Sequence, residues 1–261
     1  MPHPYLTGTA RPRVFAHRGF VAPSQEARGI AENTLAAFAA ARDAGAEYIE
    51  SDCHLSRDGR VVLFHDDDLL RVTGDPRKIA EVTHRELSAI MADRGGLLTL
   101  DEALEAFPEA RFNLDVKAEA AAEAVGRAVA HDAHRVLLAS FTAGCRIAAL
   151  RAAAAVPAAA AVGRPATSPD RAALVRILLA VAVRSRRRAE RALAGFDALQ
   201  VPERQDAIPV LTRALIDAAH ANGVEVHVWT VNDAERMRSL AARGVDGVIT
   251  DRTDLALAAL R

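Results

Sequence analysis

The fold is first indicated by residues 14–19, which read Val14-Phe15-Ala16-His17-Arg18-Gly19. A short apolar run of this kind is typical of a buried β-strand. It ends in a titratable side chain, a cation and a glycine that permits close approach of the backbone. In a barrel of parallel strands, the loops that follow the strands carry the chemistry. The stretch therefore predicts a reactive strand end, where the histidine is either structural or part of a phosphate site.

Similar apolar runs alternate with longer stretches of helical period along the chain, which is the pattern of an α/β protein with a parallel sheet. The nine strand candidates are Arg13–Ala16, Glu47–Asp52, Val61–His65, Arg111–Lys117, Arg135–Phe141, Val156–Val162, Ala198–Val201, Val224–Thr230 and Val245–Thr250. A (β/α)8 barrel has only eight positions for them. The predicted turn at Asp58-Gly59 leaves too short a link for a parallel crossover. Either the barrel is irregular there, or one candidate is the arm of a hairpin.

Predicted helix starts and one basic segment complete the outline of the chain. A capping box marks the N-terminus of a helix. It consists of Ser, Thr, Asp or Asn as the capping residue and Glu three residues later. It occurs at Thr83 with Glu86, Thr99 with Glu102, and Asn232 with Glu235. The basic run Arg184–Arg191 lies in a helical stretch without interleaved aromatic residues. We interpret it as a solvated helix face rather than a phosphate-binding patch.

The composition limits the class of protein and its partners. The 261 residues are 51% hydrophobic and 26% charged, which excludes a disordered chain and a miniprotein. One domain over residues 1–261 is the simplest prediction for this length. Lys and Arg number 33 against 34 Asp and Glu, a net charge of -1 that provides no global attraction for nucleic acid or an anionic membrane. We expect no nucleic-acid partner and no stable membrane insertion.

The cysteines and the N-terminus bear on the compartment. Cys53 and Cys145 have neither the number nor the spacing of a disulfide framework or a zinc cluster. Residues 1–12 lack the apolar run of a secretory signal, and no apolar stretch reaches the length of a membrane helix. The sequence predicts a soluble, cytoplasmic protein.

Glu50 and Asp52 form the next reactive feature. Strand alternation places both carboxylates on the same side of the second strand candidate. Two like charges in a core need a cation between them, and a divalent ion with hard oxygen ligands meets this need. The alternative is an exposed strand edge that presents both acids to water. His54 has the same parity but is predicted to lie in a turn, as a surface histidine.

A second histidine, His65, ends the third strand candidate as His17 ends the first. Phosphodiester hydrolysis needs a base for the attacking oxygen and an acid for the leaving alkoxide, and two imidazoles can divide this work. Asp115 and Lys117 share one face of a further strand candidate. They are either a third metal ligand and a phosphate contact or simply a salt bridge.

Together these residues resemble the motifs of the glycerophosphodiester phosphodiesterase family, whose barrel is similar to that of phosphoinositide-specific phospholipases C. The motifs follow in order from residue 14 to about 255: His17-Arg18-Gly19, Glu32-Asn33-Thr34, Glu50-Ser51-Asp52, Asp58-Gly59, His65-Asp66, Arg71-Val72-Thr73, Leu98–Glu102, Asn113–Lys117, Ser140-Phe141, Val228–Asn232 and Gly244–Asp251. The resemblance implies an irregular TIM (β/α)8 barrel with its active site at the carboxyl ends of the strands. It also implies a small excursion at about residues 66–110.

The resemblance further implies a role for each candidate residue. The acid/base pair would be His17 and His65, the metal ligands Glu50 and Asp52, and the phosphate contacts Arg18 and Lys117. Asp115 stands where the family more often has Glu, so it would ligate the metal directly or through a water. Glu32 would orient Arg18, hold substrate, or only precede a helix cap. Trp229 would lie beside the substrate or in the core.

The implied activity is metal-dependent hydrolysis of a glycerophosphodiester, a small-molecule substrate, to sn-glycerol 3-phosphate and an alcohol. One divalent cation, Ca²⁺ or Mg²⁺, would serve as cofactor. Two alternatives stay open: a lysophospholipase D-like phosphodiesterase acting on a lysophospholipid, and a catalytically idle barrel that binds a phosphorylated metabolite. The sequence does not indicate the alcohol or the oligomeric state.

Overall fold

A ring of parallel strands forms the centre of the computed structural model, which describes residues 2–157 and 159–261. Strands β1 to β11 are Arg13–His17, Tyr48–Leu55, Val61–Leu63, Arg111–Val116, Val136–Ala139, Ala166–Thr167, Ala198–Val201, Arg204–Gln205, Ile208–Pro209, Glu225–Val228 and Gly247–Thr250. Parallel pairing gives the order β6-β5-β4-β2-β1-β11-β10-β7. This is a nearly closed barrel of eight parallel strands, and it confirms the predicted α/β TIM-barrel class.

The barrel closes between β6 and β7 without regular pairing. The backbone N–H of Asp197 donates to the carbonyl of Thr167 at 2.9 Å, and Asp197 Oδ2 accepts from the N–H of Thr167 at 2.8 Å. The Asp197 carboxylate thus accepts a hydrogen bond from β6 that a backbone carbonyl of β7 would accept in regular strand pairing.

Helices surround the barrel. Helices α1 to α13 are Pro23–Glu26, Leu35–Ala44, Leu70–Thr73, His84–Met91, Leu100–Ala106, Glu119–Ala128, Ala143–Ala154, Ala159–Val162, Arg171–Ala182, Arg186–Leu193, Arg213–Ala221, Ala234–Ala242 and Thr253–Leu260. Short 3₁₀ helices cover Pro4–Leu6, Ile79–Glu81, Ala92–Arg94 and Ala130–Arg135.

Two of the three predicted capping boxes are confirmed, at Thr83 and Thr99. The third was wrong by one residue. Helix α12 begins after Asp233, whose carboxylate accepts from the N–H of Arg236 at 2.7 Å. Asn232 is not available as the cap because its side chain bonds to Thr250 at the end of β11 and to Asp251 after it.

Two of the nine strand candidates, Val61–His65 and Val156–Val162, are not parallel strands of the barrel. Strand β3 pairs antiparallel with β2, so the hairpin-arm alternative around Asp58-Gly59 is confirmed. The candidate Val156–Val162 is wrong: residue 158 lies outside the described residues, and Ala159–Val162 form helix α8, in keeping with the helix propensity of alanine. The fifth barrel strand along the chain is Ala166–Thr167 instead, and two residues are too few to leave a periodic signal.

Helices α3, α4 and α5 lie in the chain between β3 and β4, the range where a small excursion was expected at about residues 66–110. A separate apolar cluster there includes Phe64, Leu69 and Leu87. The loop holds His65 and Arg71 beside the barrel opening. That residues 1–261 form one domain stays a prediction.

The amino end of the barrel is closed by aromatic packing. The 3₁₀ helix at Pro4–Leu6 inserts Tyr5 against Tyr48 with ring centroids 5.2 Å apart, and Phe15 packs on the other side of Tyr48 at 4.8 Å. All three rings are almost completely buried. This floor leaves the carboxyl end of the barrel, the mouth, as the open end.

In the part of the chain that the structure describes, no helix is long and apolar enough to cross a membrane. Cys53 and Cys145 are both buried and form no disulfide with each other.

Candidate active site

The mouth is built from neighbouring strand ends. Residue pairing sets His17 beside Glu50, Glu50 beside Asn113, and Asp52 beside Asp115. Because side chains in register on parallel strands point to the same face, these groups project together into the barrel. The exposed-edge alternative for the two acids is wrong, since Glu50 is 8% and Asp52 2% exposed.

The loop after β1 turns sharply to place Arg18. Arg18 has a φ of 57° and Gly19 a φ of 86°, both in the left-handed region. A Cβ on residue 19 would lie 2.8 Å from the carbonyl carbon of Ala37, so the close approach of loop and helix α2 requires glycine. The turn also lets the Arg18 N–H donate to Glu50 Oε2 at 3.1 Å.

Asp52 is the most fully paired acid of the mouth. Lys117 Nζ lies 2.9 Å from Asp52 Oδ1 and 2.8 Å from Asp115 Oδ2. Arg18 Nε lies 3.4 Å from Asp52 Oδ2, and Asn33 Nδ2 donates to the same oxygen at 3.2 Å. Two cations and an amide therefore compensate the buried charge of Asp52. The salt bridge that the sequence allowed for Asp115 and Lys117 is present.

Glu50 and Asp115 are not compensated in the same way. Burial, with the nearby charge of Asp52, raises the pKa of Glu50 to about 8. Burial also raises the pKa of Asp115 in spite of its contact with Lys117. Asp115 Oδ1 and Asn113 Oδ1 are both buried without a hydrogen-bond partner. Two buried oxygen acceptors of the mouth are thus left without a donor.

The acids of the mouth have the donor chemistry of a hard divalent cation, carboxylate oxygen, and Asp115 Oδ1 is a buried oxygen without a partner. They are not arranged as a finished cage. Among the described residues, no three His, Cys, Asp or Glu side chains converge as metal ligands. Lys117 stands between two of the three candidate ligands.

His17 is held by a carboxylate that the sequence analysis did not single out. Its Nδ1 lies 2.5 Å from Asp251 Oδ1, and its Nε2 lies 3.9 Å from Glu50 Oε2. Burial opposes a charged ring, but the hydrogen bond to Asp251 and the charge of Glu50 outweigh it and raise the pKa of His17. Asn232 Nδ2 donates to Asp251 Oδ2 at 2.7 Å and fixes this carboxylate in turn.

His65 is held in the same manner on the other side of the mouth. Its Nδ1 lies 2.8 Å from Asp66 Oδ1, and Arg71 Nε donates to Asp66 Oδ2 at 2.6 Å. Arg71 also donates to Glu32 Oε1 at 2.6 Å, and Arg18 donates to that oxygen at 2.8 Å. A chain of hydrogen bonds therefore runs from the second histidine to the candidate phosphate contact. Of the readings for Glu32, this geometry supports the orientation of Arg18.

Two aromatic side chains complete the rim. Trp229 is half-buried after β10, and the ring of Phe141 stands edge-on to it at 6.4 Å between centroids. Phe141 is 55% exposed, and Lys117 Nζ lies 5.5 Å from its ring centroid. Trp229 therefore borders the mouth rather than lying wholly in the core.

Similarity to known proteins identifies the family of the chain. The sequence pattern of the glycerophosphoryl diester phosphodiesterase family matches residues 17–255. The chain belongs to this family. Its members hydrolyse phosphoric diesters, and this enzyme class applies to the chain.

Individual relatives of the family agree in fold and length. A probable glycerophosphodiester phosphodiesterase 2 of Mycobacterium tuberculosis is 35% identical over 245 residues, 92% of this chain and 87% of the relative. The crystal structure of the Thermotoga maritima phosphodiesterase superposes with a TM-score of 0.70 at 26% identity, covering 96% and 99% of the two chains. A phosphodiesterase of Oleispira antarctica, solved with the product sn-glycerol-3-phosphate, shares the fold at 24% identity with a TM-score of 0.69, covering 95% of this chain and 96% of the other.

The fold of this phosphodiesterase-family chain places all the predicted site residues at the mouth: His17, Arg18, Glu32, Glu50, Asp52, His65, Asp115, Lys117 and Trp229. His54 was predicted wrongly as a surface residue. It lies inside β2, is 6% exposed, and its Nε2 is 3.2 Å from the carbonyl oxygen of His65. The prediction failed because β2 runs on to Leu55.

Asp66, Arg71, Asn232 and Asp251 hold the two histidines; all four lie within the motifs of the family resemblance, but no role at the site was predicted for them. A signal for Asp251 existed, since it directly follows the last strand of the barrel. A closed barrel brings its last strand beside its first, and β11 indeed pairs with β1.

Proposed function

We propose that this protein is a metal-dependent phosphodiesterase that hydrolyses glycerophosphodiesters to sn-glycerol 3-phosphate and an alcohol, with His17 and His65 as general acid and base. The observation that carries the proposal is the matched support of the two imidazoles. Each Nδ1 contacts a carboxylate, Asp251 for His17 and Asp66 for His65. This contact fixes the tautomer and leaves Nε2 of each ring for a proton transfer.

In the proposed reaction one imidazole takes the proton of the attacking oxygen while a new P–O bond forms. The other imidazole gives a proton to the alkoxide as the old P–O bond breaks. The carboxylate partner stabilises whichever ring is charged, and burial strengthens that effect. Attack by water, or by the neighbouring hydroxyl of the glycerol followed by water, gives the same products.

Arg18 and Lys117 are proposed to hold the phosphate. Both side chains lie at the mouth and are mostly buried, so their charges are weakly screened by solvent. Arg18 is already oriented by Glu32 and Asp52, which reduces the entropy lost on binding. The groove beside His17, lined by Ile30, Glu32 and Asp251 among others, is the proposed place of the leaving alcohol.

The proposed cofactor is one Ca²⁺ or Mg²⁺ held by Glu50, Asp52 and Asp115. Three properties of these side chains support a metal site: the raised pKa of Glu50, the raised pKa of Asp115, and Asp115 Oδ1, which is buried without a hydrogen-bond partner. When bound, the ion would neutralise charge on the phosphoryl oxygens. The short Asp115 side chain can ligate directly through Oδ1 or through a water.

The test is release of sn-glycerol 3-phosphate from a panel of diesters with choline, ethanolamine, glycerol and inositol head groups. The enzyme is assayed after chelation and again with Ca²⁺, Mg²⁺ or Mn²⁺ restored. We expect metal-dependent release that disappears in His17→Ala. A folded enzyme that binds a diester without consuming it in calorimetry would instead support the idle barrel.

A lysophospholipid is the second candidate substrate, and the exposed ring of Phe141 favours it. An aromatic side chain that is 55% exposed beside the mouth offers an apolar surface to an acyl chain. Lysophosphatidylcholine and glycerophosphocholine differ only by this acyl chain, so their rates should be compared in wild type and Phe141→Ser. A selective loss on the lysophospholipid would establish the second reading. Cytoplasmic location and the absence of a nucleic-acid partner stay predictions.

A further inference from the structure

Six exposed arginines lie together on helices α9 and α10 and the turn that joins them. They are Arg176, Arg184, Arg186, Arg187, Arg188 and Arg191, and all are exposed. Within the chain as the structure describes it, none lies within 4.0 Å of a carboxylate, whereas many arginines elsewhere form such pairs. We call this surface the arginine face.

The arginine face is a local exception to the charge of the chain. Glu190 is the only acidic residue between Arg176 and Arg191, so this segment carries a formal charge of +5. The whole chain carries -1, which leaves -6 for the remainder. An uncompensated cluster of this size generates a positive potential that attracts an anionic partner.

Aliphatic side chains stand among these arginines. Val175, Leu179 and Val183 follow each other at intervals of four and are 49%, 61% and 58% exposed. A cleft between α9 and α10 joins Leu179 and Val183 to Arg188 and Arg191. The opposite faces of the two helices are in the core, since Ile177 is 0% and Leu193 1% exposed. The aliphatic row is therefore surplus to the packing of the barrel.

We propose that the arginine face docks the protein peripherally on an anionic phospholipid bilayer, which revises the interpretation of Arg184–Arg191 as only a solvated helix face. Guanidinium groups bind lipid phosphates with paired hydrogen bonds, and aliphatic side chains between them enter the region where head groups meet acyl chains. A nucleic acid would leave the aliphatic row in water and would gain from aromatic side chains, of which residues 171–193 contain none. The combination of cations and aliphatics favours the bilayer.

Docking of this kind leaves the rest of the protein unchanged. Helices α9 and α10 belong to the outer layer between β6 and β7, and none of the mouth residues lies on them. The contact is a surface association, which agrees with the expectation of no stable membrane insertion. The inference does not depend on the proposed catalytic chemistry.

The test is co-sedimentation of the full chain with vesicles of phosphatidylcholine, with and without phosphatidylglycerol, at low and high salt. We expect binding only to the anionic vesicles, and weaker binding as salt increases. The triple variant Arg184→Gln/Arg187→Gln/Arg188→Gln should weaken binding on the order of 10- to 100-fold, because each arginine near an anionic surface strengthens binding several-fold. The variant Leu179→Gln/Val183→Gln should weaken it several-fold.

The matched control is Arg85→Gln/Arg151→Gln/Arg238→Gln, which removes three exposed arginines outside the arginine face. Among the described residues, these three also lie more than 4.0 Å from any carboxylate. It should bind vesicles as the wild type does. Thermal unfolding verifies that each variant is folded. Equal binding to neutral vesicles, an equal loss in the control variant, or no vesicle binding at low salt would overturn the proposal. Binding to duplex DNA without binding to vesicles would assign the arginine face to nucleic acid.

Discussion

The floor and the mouth of the barrel treat buried charge in opposite ways. At the floor, Arg13 donates from Nε and Nη2 to the two oxygens of Glu225, each at 2.9 Å, and His227 Nε2 lies 3.0 Å from Glu225 Oε2. At the mouth, Glu50 Oε2 accepts a hydrogen bond from the backbone N–H of Arg18 and lies 3.9 Å from His17 Nε2. Both carboxylates are less than a tenth exposed.

The pKa values express this difference. Burial alone would raise both, but the hydrogen bonds from His227 and Arg13 outweigh it and lower the pKa of Glu225 to about 2. Nothing comparable reaches Glu50, whose pKa is about 8. Charge that the protein itself neutralises supports the fold, and charge left over is available to a ligand. The floor is thus built for stability and the mouth for chemistry.

The largest effect is expected from the histidines of the mouth. His17→Ala and His65→Ala should each lower kcat on the order of 10²–10⁴-fold, because each ring is proposed to transfer a proton in the transition state. Unfolding in urea should change little in either variant. His131→Ala, at an exposed position with no site contact, serves as control. A fully active His65→Ala enzyme would refute the two-histidine mechanism.

At the floor the corresponding mutation should act on stability alone. Arg13→Met leaves Glu225 as a buried carboxylate without its main partner, and such losses cost about 3–5 kcal/mol of unfolding free energy. The measurement is urea unfolding, with activity per folded molecule as the second readout. Arg213→Met, which breaks an exposed pair with Asp217, should have little effect. Equal effects of the two mutations would show that the floor network does not stabilise the fold.

The acid side of the pH–stability curve tests the same network. Since the pKa of Glu225 is lowered from 4.5 to about 2, its contribution is complete above pH 4.5 and is lost as the pH falls toward 2. The shift corresponds to about 3 kcal/mol. Unfolding free energy measured across this window should fall less steeply in Glu225→Gln. Parallel curves for wild type and variant would contradict the assignment.

Asp251 should affect the rate through the His17 ring that it holds. Asp251→Asn removes the charge that raises the pKa of His17, so this pKa should fall and the corresponding limb of the kcat–pH profile should move to lower pH. The loss in kcat should be about 10–100-fold, as for other groups that orient a functional histidine. Asp254→Asn, on helix α13 and away from His17, is the control. An unmoved pH profile would mean that Asp251 has only a structural role.

The sequence predicted the mouth better than the floor, and the reason is where the information lies. Glu50, Asp52 and Asp115 are placed by strand alternation, a local rule that survives any tertiary context. Asp251 bonds to a residue 234 positions away, and Arg13 to one 212 away. Such partners depend on barrel closure, which alternation alone does not specify. Strand β6 escaped prediction because two residues carry no period.

The smallest change in unfolding free energy is expected at the mouth, for Glu50→Gln at pH 5. Glu50→Gln keeps the shape of a buried side chain but removes an acid whose folded pKa of about 8 exceeds its ordinary value. A raised pKa means that the wild-type carboxyl loses folded stability as the pH rises from 4.5 through 8, so the variant should be more stable than the wild type by about 1 kcal/mol at pH 5 and by more at pH 8.

The experiment for Glu50→Gln is urea unfolding at pH 5 and pH 8 with a chelator present, beside Glu225→Gln and the exposed control Glu123→Gln. Stabilisation at the mouth and destabilisation at the floor, from the same chemical change, would establish the contrast. Destabilisation by Glu50→Gln would show that its hydrogen bond to the Arg18 N–H outweighs the cost of its buried charge. Restoring Ca²⁺ or Mg²⁺ should then stabilise the wild type alone, because only the carboxylate form of residue 50 would complete the proposed metal site.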